Sequence, residues 1–197
     1  MEFYDISQEL FSSVVFPGDP KPKREELLKI ENGDVCNLTA IYMCAHNGTH
    51  IDAPYHFYEN GRTVEQISLD KFVGYSYVVE HNGNITEKDA RKILEKAKNA
   101  HNEAYKRILI KGKAVITYEA SLVFAEANIY LVGNESQTVG PEDAPMAVHK
   151  VLLEKEIVLL EGIRLEKVPE GVYILSSAPI NLQGSDGAPC RAILIKA

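Results

Sequence analysis

His46-Asn47-Gly48-Thr49-His50-Ile51-Asp52-Ala53-Pro54-Tyr55-His56 places three of the chain's six histidines and one aspartate within a single short segment. Imidazole nitrogens and carboxylate oxygens are the ligands taken by zinc, manganese and iron(II). Gly48, the β-branched Thr49 and Ile51, and Pro54 argue against a regular helix here. From His50 onward extended structure suits the segment, and residues i and i+2 of a strand share a side, so His50 and Asp52 face the same way. Gly48 permits a bend that brings His46 round to join them. Asn47-Gly48-Thr49 reads as a plain turn in which Thr49 bonds its own backbone. The competing reading is a surface turn with solvated histidines. Four ligand-type residues so close together, framed by glycine and proline, favour a metal site over it.

Working outward, Val35 to Cys44 is rich in β-branched and aromatic residues and reads as a strand entering the segment. Tyr75–Glu80 is a second strand, closed by Asn82-Gly83. Thr86-Glu87-Lys88-Asp89 is a capping-box-like start to a helix whose apolar positions are Ala90, Ile93, Leu94 and Ala97. Strands follow at Arg107–Ile110 and Ala114–Thr117, then a helix over Glu119–Ala127. A strand at Ile129–Val132 ends at Gly133, and a helix spans Ala144–Glu154. Ile157–Leu160, Val172–Ser176 and Ala192–Lys196 complete the strands. Strands alternate with helices in the second half and dominate the first, which predicts an α/β fold with a mixed sheet. The length of 197 residues and the absence of any linker-like tract predict one domain over 1–197.

A metal site needs more ligands than one loop supplies. His149 lies on the expected helix Ala144–Glu154. Glu161 ends an apolar strand, where an unpaired buried charge is expensive and a cation would remove the penalty. His81 and His101, in polar surroundings, read as solvated. The net charge of −7 argues against nucleic acid as a partner. No apolar run approaches the ~20 residues that span a bilayer, and the start Met1-Glu2-Phe3-Tyr4-Asp5 lacks signal-peptide character, so a cytoplasmic location is expected. Cys36, Cys44 and Cys190 form no CxxC pair and read as small buried hydrophobes. Cys44, two residues before His46, is also a candidate thiol nucleophile.

The pattern His46-x-Gly48-Thr49-His50-x-Asp52-x-Pro54-x-His56 resembles the signature of the cyclase-like metal-dependent hydrolases, a family that includes bacterial kynurenine formamidases and isatin hydrolases. Other stretches resemble the same family: Asp5-Ile6-Ser7, Phe16-Pro17-Gly18-Asp19, Leu131-Val132-Gly133 with Glu135, Leu160-Glu161-Gly162, Val168-Pro169-Glu170-Gly171 and Gly187-Ala188-Pro189-Cys190-Arg191-Ala192. The resemblance implies a swivelling β/β/α domain with a mixed central β-sheet, assembled as a homodimer or higher homo-oligomer. It implies that His46, His50 and Asp52 bind one divalent ion, Zn(II) or Mn(II), and that Asp52 bridges to a second site completed by His149 and Glu161. One or two ions per subunit fit that set. His56 is then the catalytic acid/base and Phe16 a substrate contact. Two departures bear on the substrate: Phe16 stands where kynurenine formamidases carry tryptophan, and the family's Asp-x-x-Ser-x-Asp stretch is replaced by Glu135-Ser136-Gln137-Thr138-Val139-Gly140.

The implied activity is hydrolysis of a carbon–nitrogen bond in a small, aromatic-type substrate: an amide, formamide or cyclic amide. N-formylkynurenine, giving kynurenine and formate, is the leading candidate. Isatin-like ring opening and lactone hydrolysis are alternatives within the same chemistry. A metal-binding protein without catalysis is the rival outside it, separable because catalytic sites keep a coordination position for water. A thiol hydrolase using Cys44 with His46 is the other.

Overall fold

The computed structural model describes residues 1–196. Its centre is a nine-stranded mixed sheet running in the order Glu2–Asp5, Ile193–Lys196, Gly171–Ser176, Val73–Glu80, Arg107–Lys111, Leu131–Asn134, Val158–Glu161, His50–Asp52 and Gly187–Pro189. The middle four strands, from Val73–Glu80 to Val158–Glu161, are mutually parallel, and the flanking pairs are antiparallel. This is the expected mixed α/β architecture.

Three α-helices accompany the sheet: α1 (Glu87–Ala100), α2 (Tyr118–Glu126) and α3 (Met146–Glu154). The capping box expected at the start of α1 is formed by Thr86 and Asp89, each side chain bonding the other's backbone N–H. Ala90, Ile93 and Ala97 are its buried stripe, while Leu94 packs at the margin. Thr117 caps α2 by accepting from the Ala120 N–H. The alternation of side chains along the strands builds a core on each face of the sheet. Val132 and Leu159 go to the helix-covered core, and Leu131, Leu160 and Ile51 to the opposite one.

Three readings of the sequence need correction. The strand placed at Ile129–Val132 runs from Leu131 to Asn134, straight through Gly133. That glycine is no terminator: a Cβ on it would stand 2.9 Å from the Leu160 carbonyl oxygen of the neighbouring strand, so its lack of a side chain lets the two strands approach. The strand read at Val35–Cys44 is confined to Leu38–Tyr42, which pairs antiparallel with Lys23–Leu28 to make a separate ribbon. That ribbon joins no strand of the large sheet among the described residues. Its turn is an Ile30–Asn32 helical turn closed by Gly33 at φ 92°, with the Lys29 N–H donating to Asp34 Oδ2. Leu27, Ile30, Leu38, Ile41 and Tyr42 are all exposed on it, and Val35 is 96% exposed. Finally, Thr49 does not bond its own backbone; its hydroxyl reaches the far end of the chain, as described below.

Candidate metal centre

The sheet register assembles the site. Glu161 lies directly opposite His50, and Leu159 opposite Asp52, on the antiparallel pair formed by Val158–Glu161 and His50–Asp52. Opposed residues point to the same face, so His50, Asp52 and Glu161 share the helix-covered side of the sheet. α3 crosses that side and supplies His149 from its buried stripe of Val148, His149, Leu152 and Leu153. On the other edge, Gly187–Pro189 pairs with His50–Asp52 and brings Asp186, one residue upstream, to the rings of His46 and His56.

The six residues singled out in the sequence for metal and proton chemistry line one cavity of about 200 Å³, together with Phe16, Asp19, Phe57, Gln137, Thr138 and Pro145. His46 Nδ1 lies 2.8 Å from Asp52 Oδ1, and His50 Nε2 lies 3.3 Å from the same oxygen and 3.5 Å from Glu161 Oε2. His149 Nε2 is 3.1 Å from Glu161 Oε1 and 3.6 Å from Asp52 Oδ2. Three compact groups of ligand-type side chains result: His46/His50/Asp52 and Asp52/His149/Glu161, with Asp52 common to both, and the half-buried His46/His56/Asp186.

Donor chemistry and burial test whether a divalent cation suits these residues. Asp52 and Glu161 are 1% and 2% exposed, so two carboxylates sit in a nearly dry pocket and need positive charge beside them. The outer nitrogen of each imidazole is already engaged: His50 Nδ1 with the Gly48 carbonyl at 3.1 Å, His149 Nδ1 with the Pro145 carbonyl at 2.9 Å, and His46 Nε2 with Asp186 Oδ2 at 2.8 Å. Fixing the outer N–H in this way aims the inner nitrogen's lone pair at a metal. The residues fit a divalent ion.

The electrostatics agree. Burial disfavours protonation of His46, but hydrogen bonds to Asp186 and Asp52 outweigh it and raise the pKa to about 10. The same contest at His50, with Asp52 and Glu161 as partners, also ends at about 10, and at His149, with Glu161 the main partner, at about 8. Burial likewise opposes ionisation of Asp52, yet the His46 and His50 hydrogen bonds hold it well below the usual carboxylate range. The pocket is built for concentrated positive charge.

Behind the cavity a polar knot fixes the segment. The Gln8 N–H donates to Thr49 Oγ1 at 2.9 Å, and Thr49 Oγ1 donates to the Gly162 carbonyl at 2.7 Å. Gln8 Nε2 bonds Gln137 Oε1 and the Gly162 carbonyl, both at 2.8 Å, and Gln137 Nε2 donates to the Gly48 carbonyl. Gly162 takes φ 69°, and a Cβ there would collide with Gln137, Gln8 and the Gly48 carbonyl. The altered stretch after Gly133 divides its duties. Gln137 and Thr138 face the cavity, and Thr138 Oγ1 is buried without a hydrogen-bond partner. Glu135 turns away and braces the backbone, accepting from the Gly112 and Leu165 N–H groups.

Sequence reading missed Asp186. The only signal available was a carboxylate beside Gly187, whose Cβ would press on His46 at 2.9 Å. Cys44 lies 3.8 Å from Asp19, and burial pushes its thiol pKa up, opposite to what a nucleophile needs. Cys36 is exposed, and Cys44 and Cys190 are only partly buried, so none is the buried hydrophobe expected; His101 is not simply solvated, its ring stacking 3.8 Å from that of Tyr75.

The chain is similar to several known proteins. The chain is 33% identical to a kynurenine formamidase of Bacillus thuringiensis subsp. konkukian, covering 98% of this chain and 97% of that one. It is 30% identical to the kynurenine formamidase of Erythrobacter litoralis, over 97% and 92% of the two chains. Among solved structures, a potential metal-dependent hydrolase with cyclase activity superposes with a TM-score of 0.82 at 28% identity, covering 98% of this chain and 96% of the other. Isatin hydrolase A from Ralstonia solanacearum shares the fold at TM-score 0.83 and 17% identity, over 99% and 92%. The profile of the Cyclase family matches residues 4–160, and the chain belongs to that family.

Proposed function

We propose that this chain is a cytoplasmic, divalent-metal-dependent hydrolase that cleaves the carbon–nitrogen bond of a small amide, with N-formylkynurenine as the leading substrate. The observation that carries the reading is the convergence of His46, His50, Asp52, His149 and Glu161 on one small cavity, with His56 on its wall. Full-length similarity to kynurenine formamidases supports the choice of substrate. When bound, a divalent ion supplies Lewis acidity toward a water and the substrate carbonyl. The five residues would hold it, His46 and His50 with Asp52, and His149 and Glu161 with the same aspartate. Two ions, Zn(II) or Mn(II), suit that pair of triads.

His56 takes the proton from the attacking water and returns it to the leaving nitrogen as the C–N bond breaks, so amine and carboxylic acid leave together. Phe16 offers an aromatic side chain at the cavity. The raised thiol pKa of Cys44 speaks against the thiol-hydrolase alternative. Residues 1–197 act as one hydrolase domain in this reading. It pairs as a homodimer through the Lys23–Tyr42 ribbon, whose apolar side chains are about half exposed among the described residues.

The test is turnover of N-formylkynurenine, isatin and a panel of lactones by protein loaded with Zn(II) or Mn(II). Metal-dependent formamide cleavage, lost on chelation, is expected. Absence of turnover on every substrate with folded, metal-loaded protein overturns the reading.

A further inference from the structure

The three imidazoles are held in two ways: His50 and His149 turn Nε2 inward and Nδ1 outward, whereas His46 turns Nδ1 inward and Nε2 outward. His50 and His149 give their outer N–H to neutral backbone carbonyls, whereas His46 gives its own to a carboxylate, Asp186 Oδ2. The same oxygen lies 3.1 Å from His56 Nδ1. The His46 and His56 rings are stacked, with centroids 4.2 Å apart and planes inclined at 36°, so one carboxylate oxygen spans the edges of both. Asp186 is delivered there by the sheet: Gly187 is paired with Asp52, and the Asp186 carbonyl accepts the Ala53 N–H at 2.9 Å.

We propose that Asp186 is a positioning residue that serves two histidines at once, holding His46 with its Nδ1 lone pair toward the metal and His56 with a proton on Nδ1. The inference rests on the proposed function for its catalytic consequence, but its structural content does not. An Nδ1–H on His56 leaves Nε2 as the basic nitrogen, and Nε2 has no hydrogen-bond partner among the described residues. A carboxylate behind a ligand histidine raises its basicity and fixes its ring. Joining both duties in one oxygen couples the orientation of the acid/base to that of a ligand, a link that no carbonyl partner provides.

The experiment uses the full chain loaded with zinc and no substrate. Nitrogen-15 histidine spectra of the wild type should show His56 with its proton on Nδ1; a proton on Nε2 alone overturns the proposal whatever any variant does. Asp186→Asn should still bind the same number of zinc ions, with affinity reduced about 10–100-fold by chelator competition. Unchanged affinity together with an unchanged His56 tautomer refutes the proposal. Loss of a whole equivalent of zinc makes Asp186 a ligand and refutes it too. With N-formylkynurenine at saturating zinc, the variant should lose kcat about 100-fold with little change in KM. A wild type that turns over no substrate defeats the functional reading, while the tautomer and affinity measurements still decide the role of Asp186.

Discussion

The His46–His56 segment and the Lys23–Tyr42 ribbon are neighbours in sequence and opposites in construction. The first is clamped between two strands of the main sheet, its side chains nearly all committed to partners in the same chain. The second is a two-stranded ribbon whose side chains point mostly into solvent. A lone hairpin is marginal in water, so the ribbon's exposed Leu38, Ile41 and Tyr42 make sense where another surface covers them. The segment is dictated by the chain's own interior, whereas the ribbon's apolar side chains stay exposed.

The comparison breaks first, and with the largest effect, at His56. His56→Ala should lower turnover by about 10²–10⁴-fold while leaving bound metal unchanged, read by steady-state rates beside metal analysis of the dialysed protein. Loss of metal would make His56 a ligand instead.

Next is Gly162→Ala behind the clamped segment. It combines an unfavourable backbone angle with collisions against backbone and side chains, and should cost about 2–4 kcal/mol in denaturant titration. A change under 0.5 kcal/mol would show that the polar knot yields easily.

The pH dependence sharpens the electrostatic side. His149, His46 and His50 have folded pKa values raised above the ordinary 6.5, to about 8, 10 and 10. Raised values mean that their contribution to the metal-free protein is complete below pH ~6.5 and is lost as pH rises, through 8 first and then through 10. Zinc requires the deprotonated imidazoles, so its affinity moves the other way. The gap in melting temperature between zinc-loaded and metal-free protein should therefore widen from pH 6.5 to pH 8; a constant gap would contradict the assigned pairing.

The smallest energetic effect belongs to the ribbon. Ile41→Glu should change the stability of the isolated chain by no more than about 0.5 kcal/mol, as for other exposed positions. It should nonetheless shift a dimer to monomer in sedimentation velocity. A variant that stays dimeric places the interface elsewhere.

The contrast also explains what was readable in advance. α1 was legible because its capping box and its buried stripe both lie within fifteen consecutive residues. His50 and Asp52 were legible as a same-side pair because strand alternation is local. The Lys23–Leu28 strand, reading Lys-Arg-Glu-Glu-Leu-Leu, was invisible because it buries almost nothing and so carries no alternation to detect. Asp186 was hidden for a different reason. Its partners stand 130 and 140 positions away, and only strand pairing brings it to them. Gly133 misled because a glycine needed for close approach of two strands looks, from one strand alone, like a stop.

The knot of Gln8, Thr49, Gln137 and Gly162 has a consequence for how the protein is made. Its Gln8–Gly162 bond joins positions 154 residues apart, and the loop between them contains every proposed ligand. Contacts so distant in sequence close late, because chain entropy must be overcome before they return anything. A growing chain that has just displayed His46 to His56 still lacks the strand that pairs with it. It cannot yet offer an ion the proposed ligands together, so metal capture is expected at the closing stage of folding. Zinc added to a refolding chain should accordingly change the rate of unfolding far more than the rate of folding.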